Sequence, residues 1–163
     1  HYPFAYDYND FQAEKDFQNY FITKCLATGT GQCNSLPATY LAIAEKLGAT
    51  SILAIDIEDW SVENTIENAN RNHCQHIEAL CGDVDLIQGK QFELILANIN
   101  KNILKTHMEN YSNALEPNGI LLLSGFFDSD VDELVEFASQ FKLVKENVMQ
   151  KDNWASIKLM KLK

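Results

Sequence analysis

Clusters of basic residues, long apolar runs and metal-ligand spacings are all missing from this chain. Its 163 residues carry 13 Lys and Arg against 23 Asp and Glu, a formal net charge of −10. Without a Lys/Arg cluster, the non-specific grip on a nucleic-acid backbone that depends on displacing counterions is not expected. An acidic surface still suits docking to a basic protein. No apolar run approaches the roughly 20 residues that cross a bilayer, and no signal peptide is visible. The chain opens His1-Tyr-Pro-Phe4 with no Met, as a trimmed or excerpted sequence would. Cys25, Cys33, Cys74 and Cys81 follow no zinc pattern. They read as reduced thiols of a cytoplasmic protein, mostly buried as small apolar residues. His73 and His76 flank Cys74, but no partner recurs at ligand spacing, so no metal site is expected.

What is present is ordinary globular material, 46% hydrophobic and 22% charged, enough for one domain with a sizeable core. Residues 1–20 read as an aromatic, acidic arm followed by a helix over about 10–20. Phe21–Ala27 reads as a strand or the end of that helix, and Thr28-Gly-Thr-Gly31 as a turn. Helical spacing runs from Ser35 to Leu47, with Pro37 in the first turn and Gly48 as C-cap. Strands are expected over Ser51–Ile57, Ile77–Leu80, Phe92–Ala97 and Ile120–Ser124. Between them fall a helix over Trp60–Asn70, with Val62, Ile66 and Ala69 on one face, and another over Lys101–Leu115, closed by Glu116-Pro-Asn-Gly119. Val131–Gln140 reads as a helix, and Leu143–Met149 with Ala155–Met160 as an antiparallel pair around a Lys-Asp-Asn turn. Strands alternating with helices imply an α/β fold whose sheet is mostly parallel, closed by an antiparallel edge pair. No repeat or low-complexity linker interrupts it. The expectation is a single α/β domain over 1–163, with 1–20 as arm and helix and 21–163 as a Rossmann-like core.

Ser51-Ile-Leu-Ala-Ile-Asp-Ile-Glu-Asp59 is the most telling stretch. Its apolar run is short, as expected for a strand buried on both faces, and it ends in acids. Open α/β sheets bind ligands at the carboxyl ends of their strands, where Asp56 is suited to accept both hydroxyls of a ribose. The bland alternative is a helix cap. Other strand ends carry Thr28–Gly31, Gly82-Asp83, Asn98–Asn100 and Ser124-Gly125. Gly29 and Gly31 would let backbone approach a ligand closely. Asp83 suits either an adenine amino group or a plain turn. Asn98, Asn100 and Asn102 offer amides without a nucleophile and base, which fits positioning an amine better than hydrolysis.

From about Ser51 onward the chain resembles the catalytic domain of the bacterial methyltransferases that modify ribosomal protein L-eleven, a class I S-adenosylmethionine family. The matching blocks are Ile52-Leu-Ala-Ile-Asp-Ile-Glu-Asp-Trp60, Gly82-Asp83, Ile95-Leu-Ala-Asn-Ile-Asn-Lys-Asn-Ile-Leu104, Leu115-Glu-Pro-Asn-Gly119 and Leu122-Leu-Ser-Gly-Phe126. The resemblance implies S-adenosylmethionine as cofactor and methyl transfer to an amine nitrogen of a protein substrate such as a ribosomal protein. It assigns Asp56 and the adjoining Ile57 to the cofactor, Asp83 to the adenine side, and Asn98 to the motif position beside the methyl group.

The N-terminal third departs from that pattern. The family's loop, Asp-x-Gly-x-Gly-x-Gly, would be replaced by Leu26-Ala-Thr-Gly-Thr-Gly31, which lacks the acid and one glycine. Residues 7–49 instead resemble a transglutaminase-like cysteine protein, through Gly31-Gln-Cys-Asn-Ser-Leu-Pro37 and Ala44-Glu-Lys-Leu-Gly48. That resemblance implies Cys33 as a nucleophile at a helix N-terminus. The two likenesses meet in Leu41-Ala-Ile-Ala44, so Phe21–Ala27 would have to serve as the first strand and Gly29 and Gly31 as the cofactor loop. A thiol enzyme and a non-catalytic binding module stand as the alternatives to a methyltransferase.

Overall fold

The computed structural model describes residues 47–163 and, before them, residues 5, 6, 30, 31, 41, 44 and 45. Phe21–Ala27, Gly29 and Cys33 lie outside the described residues. Two compact units divide between Asp83 and Val84.

In the first unit, strand β1 (Ala5–Tyr6) pairs in parallel with β2 (Thr30–Gly31). Thr30 and Gly31 therefore lie in a short ladder and not in the expected turn, because their backbone finds partners on Ala5 and Tyr6. Leu41, Ala44 and Glu45 are helical. Gly48, at φ +105°, ends that helix as expected, with Gly48 N donating to Glu45 O at 3.0 Å and Ala49 N to Ala44 O at 3.0 Å.

Strand β3 (Ile52–Asp56) and strand β4 (Ile77–Cys81) run parallel, from Ile52 opposite Ile77 to Asp56 opposite Cys81. Helix α1 (Asp59–Arg71) connects them and packs on both. Ile52–Ile55 are half-buried, short of the double-sided burial the apolar run led one to expect. Among the described residues β4 is the strand that pairs with β3, and α1 is the helix that covers the pair. The inward face of α1 also differs from expectation. Ile66 is 45% exposed, while Asn68 and Ala69 are buried. Asn68 turns inward because its Nδ2 donates to Asn64 O at 2.9 Å and to Asn64 Oδ1 at 2.8 Å. The helix closes on His73, at φ +56°, with Cys74 N donating to Ala69 O at 2.9 Å.

In the second unit a single 3₁₀ turn (Val84–Ile87) precedes strand β5 (Phe92–Asn98), helix α2 (Lys101–Ala114) and strand β6 (Leu115–Phe127). A 3₁₀ turn (Asp128–Asp130) leads into helix α3 (Val131–Ser139), and strands β7 (Leu143–Lys151) and β8 (Trp154–Lys161) follow. The sheet order is β5-β6-β8-β7. β5 and β6 are parallel, and β8 is antiparallel to both β6 and β7. Asp152 and Asn153 both have positive φ, the backbone that a tight two-residue hairpin requires.

α2 ends at Ala114, next to the expected bound at Leu115, but Glu116-Pro-Asn-Gly119, expected to close the helix, sits inside β6. Pairing jumps from Phe92 opposite Leu115 to Leu94 opposite Ile120, so these four residues fold out of the ladder. Asn118 at φ +68° makes the turn.

The core of this unit follows the periodicities. Leu121 and Leu123 alternate inward on β6, as do Ile157 and Leu159 on β8. Leu104, Met108 and Tyr111 line one face of α2 at helical spacing, and Val131, Leu134 and Ala138 line one face of α3. The two helices pack on each other, α2 also on β6 and α3 on β7. Each fully buried leucine contributes about 1.5–3 kcal/mol.

Candidate functional site

The carboxyl end of the β3–β4 pair is an acidic rim. Asp56 is the last residue of β3, and its Oδ1 accepts from Glu58 N at 3.0 Å. That bond closes the turn that swings the chain from strand into α1, whose first residue is Asp59. Gly82 N donates to Asp56 O at 2.9 Å, so the ends of β3 and β4 stand side by side. Asp83 is exposed immediately after Gly82, and Ile57 is 65% exposed. Asp56, Ile57 and Asp83 are thus brought to one sheet end. A carboxylate with one oxygen in a turn keeps lone pairs for hydroxyl donors.

Cys81, the last residue of β4, was not foreseen as part of this rim. Its Sγ donates to Ile57 O at 3.6 Å. A hydrogen bond with Asp59, burial, and the charges of Asp59, Asp56 and Glu58 all push its thiol above the ordinary range. The thiol is therefore held protonated, which suits a hydrogen-bond donor and not a nucleophile.

The second unit presents an amide-rich strand end. Asn98 closes β5 and lies opposite Ser124 on β6, whose Oγ donates to Asn98 Oδ1 at 3.0 Å. Ile99 N donates to Ser124 O at 3.1 Å. Gly125, at φ +94°, presses on this loop: a Cβ there would stand 2.7 Å from Ile99 O and 2.9 Å from Ile99 N. Only glycine fits. Asn100 is the N-cap of α2, its side chain accepting from Ile103 N at 3.2 Å. Asn102 belongs to the first turn of α2. Of three clustered asparagines, Asn98 is the one at the strand end without a capping task. Its amide oxygen, oriented by Ser124, can accept a second hydrogen bond such as one from an amine.

Beside this loop lies an ion-pair network that spacing did not reveal. Lys101 Nζ donates to Asp130 Oδ1 at 2.7 Å and to Glu133 Oε2 at 3.0 Å, and Lys105 Nζ to Glu133 Oε1 at 2.6 Å. Asp130 Oδ2 accepts from Phe127 N at 3.2 Å. Lys105 and then Lys101 hold the Glu133 carboxyl down to about 2. Lys101 likewise keeps Asp130 below the carboxylate range, and Asp130 with Glu133 raises Lys101.

Gly31 contributes backbone to the pairing with Tyr6, and Gly29 is outside the described residues. A shallow cavity of about 130 Å³, lined by Gln88, Gln91, Asn110 and Asn113 among others, lies by the start of β5 and the end of α2. It lies at the opposite end of β5 from Asn98. Among the described residues no three His, Cys, Asp or Glu side chains gather to hold a metal ion. His73 follows Asn72, the C-cap of α1, and His76 Nδ1 lies 3.4 Å from Glu45 Oε1. Among the described residues no helix is long and apolar enough to cross a membrane.

Residues 25–162 match the model of the family described as "Ribosomal protein L11 methyltransferase (PrmA)". The chain belongs to that family. The match takes in residues 25–49, including Cys33, where a transglutaminase-like cysteine protein was the alternative. A ribosomal protein L11 methyltransferase of Porphyromonas gingivalis is 43% identical over 117 residues, covering 71% of this chain and 40% of that protein. One from Bacteroides thetaiotaomicron is 37% identical over 117 residues, covering 71% of this chain and 42% of its own length. The chain spans about two fifths of the length of these curated relatives. Among solved structures, the ribosomal protein L11 methylase of Lactobacillus delbrueckii subsp. bulgaricus superposes with a TM-score of 0.70 at 27% identity, covering 77% of this chain and 66% of that one. A methyltransferase from Pyrococcus furiosus, at 16% identity and a TM-score of 0.66, shares the fold. The mixed α/β fold with a mostly parallel sheet is that of class I methyltransferases.

Proposed function

We propose that this chain is the catalytic part of a cytoplasmic S-adenosylmethionine-dependent N-methyltransferase acting on a ribosomal protein, as the names of its relatives indicate. The observation that carries the reading is the Gly82 N to Asp56 O bond of 2.9 Å, which sets two acidic strand ends next to each other at one end of the β3–β4 sheet. The donor set fits a nucleoside: Asp56 would accept from the ribose hydroxyls, exposed Ile57 would lie against the adenine, and Asp83 would accept from its amino group. Gly29 and Gly31 would approach the carboxypropyl end. The cofactor, when bound, supplies a methyl group already activated on a sulfonium.

What remains for the protein is alignment of a neutral amine. Asn98 would accept an N–H of that amine through Oδ1, while Ser124 fixes the amide plane. The acidic chain, at net charge −10, favours a basic protein partner over a nucleic acid.

Isothermal titration of the intact chain with S-adenosylmethionine tests the reading. Saturable heat that weakens in Asp56→Ala is expected. No heat at millimolar cofactor, with the fold confirmed by circular dichroism, would leave family membership without the activity.

A further inference from the structure

Asp130 uses both carboxylate oxygens on neighbouring loops. Oδ1 accepts from Lys101 Nζ at 2.7 Å, and Oδ2 from Phe127 N at 3.2 Å. Lys101 is the first residue of α2, directly after the Asn98–Asn100 loop, and Phe127 is the last residue of β6, three positions after Ser124. The side chain is mostly enclosed, 18% exposed, so the bonds are less open to competition from water than a surface pair would be. Glu133 joins the cluster from α3 through Lys101 and Lys105. The groups facing Asp130 are thus Lys101 from α2, the Glu133 carboxylate from α3 and the Phe127 N–H from β6.

We infer that Asp130 and Lys101 form a tether that fixes Asn98 against Ser124, making them positioning residues for methyl transfer although neither reaches the reacting atoms. Asn98 is held to Ser124 by one side-chain bond and, through Ile99 N, by one backbone bond. Both bonds cross between the loops that Asp130 ties. Gly125 allows those loops to touch, and Asp130 keeps them from separating. Loss of the tether would leave the amide free to swing, and a displacement of about 1 Å at a positioning group lowers rates by up to about a hundredfold.

The inference rests on the role proposed for Asn98, so its test reads the tether without the reaction as well. Amide hydrogen exchange of Ile99 is followed in the intact chain and in Asp130→Ala, Lys101→Met and Lys101→Arg. Exchange about tenfold faster or more is expected in the first two, with near-normal exchange in Lys101→Arg, whose guanidinium still reaches the carboxylate. With a ribosomal protein L11 preparation as acceptor, kcat should fall about tenfold or more in Asp130→Ala and Lys101→Met. Cofactor Kd should stay within about twofold, since the rim of Asp56 and Asp83 is untouched, and kcat should recover in Lys101→Arg. The double variant should be no worse than Asp130→Ala alone. Unchanged Ile99 exchange overturns the tether. Faster exchange with unchanged kcat, or kcat and cofactor Kd worsening together with a lowered Tm, overturns the positioning role. A wild-type chain that binds no cofactor defeats the functional reading instead, and the exchange of Ile99 still decides the tether.

Discussion

Gly125 faces Ile99 so closely that the smallest side chain would collide with it: a Cβ at Gly125 would lie 2.7 Å from Ile99 O and 3.0 Å from Ile99 C. The obstruction is backbone, which has no rotamer with which to retreat. Gly125→Ala also places a side chain at φ +94°. The two effects together should cost at least about 2 kcal/mol. A fall in Tm of roughly 5 °C or more in a thermal melt is expected. A variant melting with the wild type would show that the Ile99 loop moves freely.

Asp56→Asn should weaken S-adenosylmethionine about 10–100-fold, since hydrogen bonds to a charged acceptor contribute about 1.5–3 kcal/mol. Asp56→Ala also loses the bond from Glu58 N that closes the turn. It should bind still more weakly. Titration calorimetry separates the two, and equal affinity in all three proteins would remove Asp56 from the ribose.

Asn98→Ala should divide the two sides of the reaction. Cofactor affinity is expected to stay within a few-fold, while kcat falls by about 10²–10³, the range for losing one oriented polar group. Ser124→Ala removes only the bond that sets the amide plane and should lie between, near about tenfold. Radiolabelled methyl transfer measures both. A normal kcat in Asn98→Ala would move the amine elsewhere.

The acid limb of stability carries a signature of Glu133. Its folded carboxyl titrates at about 2, below the ordinary 4.5, because Lys105 and Lys101 bond to the ionised form. A depressed carboxyl stabilises the fold fully above its unfolded value and loses that contribution as pH falls toward the folded one. The Tm difference between wild type and Glu133→Gln should therefore be constant above about pH 5.5 and shrink between about pH 4.5 and 2. A difference that does not change over that window would mean the lysines do not hold the carboxylate in solution.

The strand ends were legible in the sequence because short apolar runs ending in polar residues report directly on where a sheet stops. Asp56, Gly82-Asp83 and Asn98 all stand at such ends. The inward turn of Asn68 in place of Ile66 does not follow from hydrophobicity, which does not register that Asn68 Nδ2 donates to Asn64 O and Oδ1. Glu116-Pro-Asn-Gly119 carried a true turn signal, but the ladder resumes beyond it, and pairing with β5 is not a local property. Thr30 and Gly31 pair with residues some two dozen positions away, which a glycine-rich run does not reveal. The same distance hides Asp130. It meets Lys101 across 29 positions, and no periodicity links the first turn of one helix to the approach of the next.

β8 fills the interior slot between β6 and β7, so the strand that comes latest in sequence completes the middle of its sheet. Leu159 and Ile157, among the most enclosed side chains, belong to it. Until β8 pairs, β7 has no strand partner in this sheet and β6 keeps one open edge. The nascent unit is an unfinished sheet, prone to accept a foreign strand, and its folding is timed by the arrival of one hairpin.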